Sequence, residues 1–158
     1  MKKKTLYLLR HAKSSWKDLS IRDFNRPLNK RGKRDAPFMA KLMQKKGIHP
    51  DIILSSPAKR AKTTAKHFAK ALESELLLDE AIYEASPSTL RRVIREAFGS
   101  YDEVMLVGHN PSLTMLCNEL SDHFIDNIPT AGIVGIEFTS GGFNKGNVIF
   151  FEYPKKEG

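Results

Sequence analysis

The chain has 158 residues, 41% of them apolar and 28% charged, with a formal net charge of +8 and one cysteine, Cys117. That length suffices for one domain with a buried core, expected over residues 1–158. No apolar run approaches the ~20 residues of a membrane-spanning helix, and a single cysteine excludes an intramolecular disulfide or a Cys-Cys zinc motif. The basic excess is unevenly placed. Residues 1–70 carry 20 Lys/Arg against 4 Asp/Glu, whereas residues 71–158 carry 6 against 14, so the first half should attract an anionic partner.

Thr5–Leu9 has the length and the aromatic and leucine content of a buried strand, and it ends abruptly in Arg10 and His11. The carboxyl ends of strands in an open α/β sheet line the ligand crevice, so this pair is expected at its mouth. Lys13–Pro27 reads as a polar loop punctuated by Ser14, Ser15, Asp18, Ser20, Asn25 and Pro27, with Trp16, Leu19 and Phe24 expected to anchor it. A helix follows over Lys30–Lys46, capped by Asn29 and stopped by Gly47. Pro37 inside it predicts either an irregular first turn or a kink.

Asp51–Ser55 is a second strand, and Ser56-Pro57 opens a helix over Ala58–Leu72 with the proline at or near its first position. Glu75–Leu78 is a short third strand. Ser86-Pro87 begins a helix in which Leu90, Val93, Ile94 and Ala97 share one face, and Gly99 ends it. The fourth strand, Glu103–Val107, runs into Gly108-His109-Asn110-Pro111, where Asn110 as N-cap and Pro111 as first residue start a helix to about Leu120. Gly132–Phe138 and Asn147–Tyr153 form a hairpin around Gly141, Gly142, Asn144 and Gly146. No helix and no Gly-Lys-Ser/Thr accompany that glycine-rich turn, so it is not a phosphate loop. Strands alternating with helices, then an antiparallel end, predict an α/β fold: a three-layer α/β/α sandwich on a mostly parallel sheet.

Of the five histidines, His49, His67 and His123 fit structural or surface roles. His11 and His109 differ because each stands just past a buried strand. Arg60 lies early in the helix after the second strand, so three βα junctions present a cationic or imidazole group. Arg10 and Arg60 can fork onto phosphate oxygens, and the helix starting near Pro111 adds partial positive charge beside His109 and Asn110. No convergent carboxylates suit Mg²⁺, and no His-x-x-x-His or Cys/His spacing suits zinc. The pattern is a pocket for an anion that needs no metal or cofactor and contains an imidazole nucleophile, which suits phosphoryl transfer.

Four stretches in order carry a resemblance. Leu8–Trp16, LLRHAKSSW, resembles the Arg-His-Gly signature of the histidine phosphatase (phosphoglycerate mutase-like) superfamily. Pro27-Leu28 with Lys30-Arg31-Gly32 resembles its Pro-Leu-Thr-x-x-Gly helix start. Ser55-Ser56-Pro57 through Arg60-Ala61 and Thr63-Thr64-Ala65 resembles its Ser-Ser-x-x-x-Arg-x-x-x-Thr-Ala motif, and Val107–Asn110 its second-histidine motif. The wording around both histidines and the short length most resemble the small SixA-type phosphohistidine phosphatases. Ala12 replaces the superfamily's usual glycine, as in that branch, and Lys17 stands where the mutase branch has asparagine.

The resemblance implies a phosphoglycerate mutase-like fold and a set of roles. His11 would attack phosphorus and become a transient phosphohistidine. Arg10, Arg60 and His109 would hold the phosphoryl oxygens, with Ser14 and the backbone of Asn110 contributing. Leu78-Asp79-Glu80 resembles the stretch around the general acid of larger members, with Glu84 a second candidate; both also fit exposed surface carboxylates. Only about 47 residues separate Ser55 from Glu103, too few for the long lid of those members, so an open site is expected. An imidazole leaving group, with a reference pKa of ~6.5, departs without the proton an alkoxide requires. The expected partner is therefore a phosphorylated protein of the histidine-phosphotransfer type, met by a cytoplasmic monomer. The alternatives are a small phosphate ester or a non-catalytic phosphate-dependent binding module. Neither nucleic acid nor a membrane is an expected partner, since no RNA-recognition aromatics or helix-turn-helix pattern appear.

Overall fold

The structure, a computed structural model, describes residues 3–139 and 143–155. Its strands are β1 (Lys4–Arg10), β2 (Ile52–Ser55), β3 (Leu76–Leu78), β4 (Glu103–Gly108), β5 (Ile133–Phe138) and β6 (Asn147–Glu152). Its helices are α1 (Lys30–Lys45), α2 (Lys59–Leu72), α3 (Pro87–Phe98) and α4 (Ser112–Leu120). One sheet takes all six strands in the order β3-β2-β4-β1-β5-β6. β1 to β4 are mutually parallel, and β5 lies antiparallel to both β1 and β6. The fold is thus the expected α/β sandwich with an antiparallel C-terminal hairpin; Gly141 and Gly142 of its turn lie outside the described residues.

Strand side chains alternate between the two faces, and the core divides accordingly. Leu6, Leu8, Val104 and Leu106 pack under α3 and α4. Tyr7, Leu9, Met105 and Val107 pack under α1 and α2 with Met39, Met43 and Phe68. All three of those helix side chains are fully buried, and Leu42 packs at the edge of the same cluster. Both helices of that layer come from the basic half of the sequence, so the charge asymmetry becomes an asymmetry between the two faces of the molecule.

Local signals set the boundaries. Asn29 Oδ1 accepts from Gly32 N at 2.8 Å, and Gly47 takes a left-handed φ of +79° after α1. Pro37 is accommodated within α1 rather than ending it. Ser86 caps α3 and Gly99 closes it. At α4 the start is displaced: the helix begins at Ser112, and Asn110 Oδ1 accepts from Thr114 N at 3.1 Å.

The 13–27 loop corrects one expectation. Trp16, Leu19 and Phe24 do not anchor it; they are 59%, 80% and 36% exposed. Its anchor is Arg26, buried, whose guanidinium donates to Ser15 O and Ile21 O and lies 3.8 Å from the centroid of the Trp16 ring. One guanidinium closes two carbonyls of the loop at once while its flat face packs on the Trp16 ring.

Candidate active site

Arg10 of β1 lies opposite Gly108 of β4, so the next residues, His11 and His109, leave the sheet side by side. Their ring centroids are 5.1 Å apart and the planes tilt by 53°. The turn is tied down on both sides. His11 N donates to Gly108 O at 3.2 Å, and Ala131 N reaches the carbonyl oxygens of both Arg10 and His11. Ala12 N donates to Thr64 Oγ1 at 3.0 Å, and that hydroxyl donates in turn to Arg60 O at 2.8 Å.

His11 Nδ1 lies 2.8 Å from Ala12 O. A carbonyl oxygen only accepts, so Nδ1 carries the proton and Nε2 keeps its lone pair. Burial pushes the His11 pKa down to about 3, with nearby His109, Arg60 and Arg10 adding to the effect and the Ala12 hydrogen bond opposing it. The imidazole is therefore neutral, nucleophilic and set among cations. His109 shares a 2.8 Å hydrogen bond between Nε2 and Ser56 Oγ. Burial lowers its pKa to about 4, reinforced by Arg60 and Arg10 and opposed by Asp23.

Arg10 donates through Nη1 to Ile128 O at 3.0 Å, and its Nε, like His109 Nδ1, is buried without a protein hydrogen-bond partner. Two polar groups in one cluster thus keep capacity for a polar ligand. Arg60, in the first turn of α2 and buried, meets Asp23 twice: Nη1 donates to Asp23 O at 2.7 Å and Nη2 to Asp23 Oδ2 at 3.0 Å. Tyr83 OH donates to that same Oδ2 at 2.7 Å. The Tyr83 ring stands edge-on to both Phe24 and His109. Burial would raise the Asp23 pKa, but the hydrogen bonds from Tyr83 and Arg60 and the Arg60 charge outweigh it and hold the carboxyl below its ordinary value.

His11, His109, Arg10 and Arg60 are thus brought together, and the other candidates stand further off or are already engaged. Ser14 is buried and its backbone bridges Leu28. The Asn110 side chain is committed to Asn127 Oδ1, Ile128 O, Thr114 N and Thr114 Oγ1, which leaves its backbone for a ligand. Glu80 and Glu84 are exposed, and neither hydrogen-bonds to a member of the cluster among the described residues. Glu84 lines a cleft with Arg22, Asp23, Phe24 and Tyr83. His49 Nδ1 is paired with Leu72 O.

Sequence alone assigns no role to Asp23 or Tyr83, and Thr64 and Ser56 enter only within the family-like motif, Ser56 also in the Ser56-Pro57 helix start. Ser56 follows β2 as His11 follows β1, so the strand-end rule pointed to it; the other three act through contacts distant in sequence. Among the described residues no group of three His, Cys, Asp or Glu is placed to hold a metal ion, and no helix is long and apolar enough to cross a membrane.

The model of the histidine phosphatase superfamily (branch 1) matches residues 6–91. A crystal structure of a candidate phosphohistidine phosphatase, SixA, from Agrobacterium tumefaciens superposes with a TM-score of 0.83 at 30% identity, covering 96% of this chain and 99% of that one. An uncharacterized chloroplastic protein of Arabidopsis thaliana is 52% identical over 61 residues, 39% of this chain and 28% of its own. Phosphoserine phosphatase 1 of Hydrogenobacter thermophilus is 35% identical over 81 residues, 50% of this chain and 37% of its own. The chain matches well under half the length of these last two relatives.

Proposed function

The chain belongs to the histidine phosphatase superfamily (branch 1), and we propose that it is a phosphatase that removes the phosphoryl group from phosphohistidine on a protein, with His11 as nucleophile. His11 Nε2 forms a bond to phosphorus as the P–N bond to the substrate imidazole breaks. The substrate imidazole, protonated on its other ring nitrogen, departs as a neutral base whose freed nitrogen keeps the bonding pair, and water then cleaves the His11 P–N bond to release inorganic phosphate. Arg10, Arg60 and His109 hold the equatorial oxygens, where charge stabilisation does most of the work. Both ends of the first transfer are imidazoles with reference pKa values of ~6.5, so the leaving group needs no strong acid.

The observation that carries the substrate class is the state of the carboxylates. Asp23, the carboxylate bonded into the cluster, is held ionised by Arg60 and Tyr83, while Glu80 and Glu84 stand exposed outside it. An ionised carboxylate cannot protonate an alkoxide. The likeness to phosphoserine phosphatase 1 over half of this chain favours a second reading, a small phosphate ester as substrate. Phosphate release from a phosphohistidine-bearing protein and from a panel of small esters, wild type beside His11→Ala, decides between them. Fast, His11-dependent release from the protein alone is expected; preference for an ester overturns the substrate class, and no release from either overturns the mechanism.

A further inference from the structure

Arg60 spends its side-chain hydrogen bonds, among the described residues, on a single partner. Asp23 takes Nη1 with its backbone carbonyl and Nη2 with its carboxylate. A guanidinium has two edges that can fork onto an oxyanion, the Nη1/Nη2 end and the Nε/Nη2 side. Asp23 occupies the end and leaves the side. The carboxylate is itself fixed from the far side by Tyr83 OH at 2.7 Å, and the Tyr83 ring is held edge-on between Phe24 and His109 at centroid distances of 5.2 and 5.7 Å.

We infer that Asp23, fixed by Tyr83, is a positioning residue that sets the orientation in which Arg60 meets the phosphoryl group. The inference rests on Arg60 being a phosphoryl ligand. It also runs against simple Coulomb expectation. A carboxylate beside an anion site should weaken anion binding by like-charge repulsion, and removing it should help. A freed arginine, however, recovers several rotamers in an otherwise cationic pocket, and the bidentate geometry is lost with them. The second Nη2 proton and Nε–H are already aimed when Asp23 holds the end of the fork, so a ligand meets a prearranged edge.

The contact has a second consequence for the partner. Asp23 belongs to the 13–27 loop, which also presents Trp16, Leu19 and Phe24 to solvent. Movement of that loop on docking would be transmitted to Arg60 through two hydrogen bonds. Phosphate affinity and loop position are therefore linked through one residue.

The test is inorganic phosphate binding by titration calorimetry, with thermal melts confirming that each variant is folded. Asp23→Asn keeps the backbone carbonyl and removes the charge; it should weaken phosphate binding about tenfold, the scale of one hydrogen bond to a charged group, although the site gains net positive charge. Tyr83→Phe, which removes only the hydroxyl, should weaken it less and in the same direction. Asp23→Glu should recover part of the loss. In an Arg60→Ala background, Asp23→Asn should cause no further weakening. Phosphate binding unchanged or tightened in Asp23→Asn, or an equal loss in the Arg60→Ala background, overturns the inference while leaving the phosphatase reading intact. If Arg60→Ala itself leaves phosphate binding unchanged, the assignment of Arg60 falls and the inference with it.

Discussion

His11 and His109, from the ends of two adjacent parallel strands, stand with their rings 5.1 Å apart centroid to centroid, yet they are fixed in different ways. His11 is held through Nδ1 by the carbonyl of its own neighbour, Ala12, and His109 through Nε2 by the hydroxyl of Ser56 from a third strand end. One anchor dictates a tautomer and the other tolerates either, because a hydroxyl both donates and accepts.

Loss of the nucleophile should be the largest single effect. His11→Ala is expected to lower kcat on a phosphohistidine protein by on the order of 10³-fold or more, as removal of a nucleophile does in other covalent enzymes. Acid-quenched labelling checks the same point: wild type should trap a phosphorylated intermediate and the variant should not.

The two lowered pKa values give a pH profile. Both imidazoles are neutral in the free protein above their values of about 3 and about 4, so the acid limb of kcat/KM should stay flat to near pH 5 and fall below it. An ordinary histidine limb near pH ~6.5 would contradict the burial described.

The same shifts carry a stability consequence. Each histidine binds its proton at a pH near 6.5 when unfolded and only near 3 or 4 when folded, so the unfolded chain holds more protons between those limits. Stability is then full above pH 6.5 and declines as pH falls towards the folded values. Urea unfolding of wild type and His109→Gln across pH 7 to 4 should show a flatter decline in the variant.

Gly32→Ala tests the frame rather than the chemistry. A Cβ at Gly32 would collide with the backbone carbonyl of Lys13, and that carbonyl cannot yield because it also accepts from Asn29 N. Overpacking of this kind costs about 1–3 kcal/mol, so a lower unfolding midpoint is expected, with reduced activity because Lys13 follows the His11 turn.

Chelation should have no effect on phosphate release, since two guanidiniums supply the charge a divalent ion would otherwise provide. Activity measured with and without EDTA checks this, and a loss on chelation would require a metal in the reaction.

Much of this arrangement was legible because its signals are local. Asn29 caps the helix it precedes, Ser86 and Gly99 bracket α3, and the two apolar runs that end in His11 and His109 become neighbouring strands. What could not be read depends on pairing across the fold. Apolar character marks Trp16, Leu19 and Phe24 as anchors of the 13–27 loop, but the loop is held by Arg26 through two of its carbonyls. Asp23 carries no periodicity or cap signal, and its partners Arg60 and Tyr83 meet it only through tertiary structure. The stretch resembling a general-acid region holds Glu80 and Glu84, yet the carboxylate bonded to the cluster, Asp23, belongs to a loop that precedes α1.

Thr64 sets a mechanical tolerance. One oxygen atom joins the peptide that follows the nucleophile to the helix turn that carries Arg60, so attacking and anion-gripping groups are gauged from a common datum although they arrive on separate elements. Val at that position would match the volume and keep α2, but each side would then settle independently, and an error of a few tenths of an ångström would appear as slow chemistry on a well-folded protein.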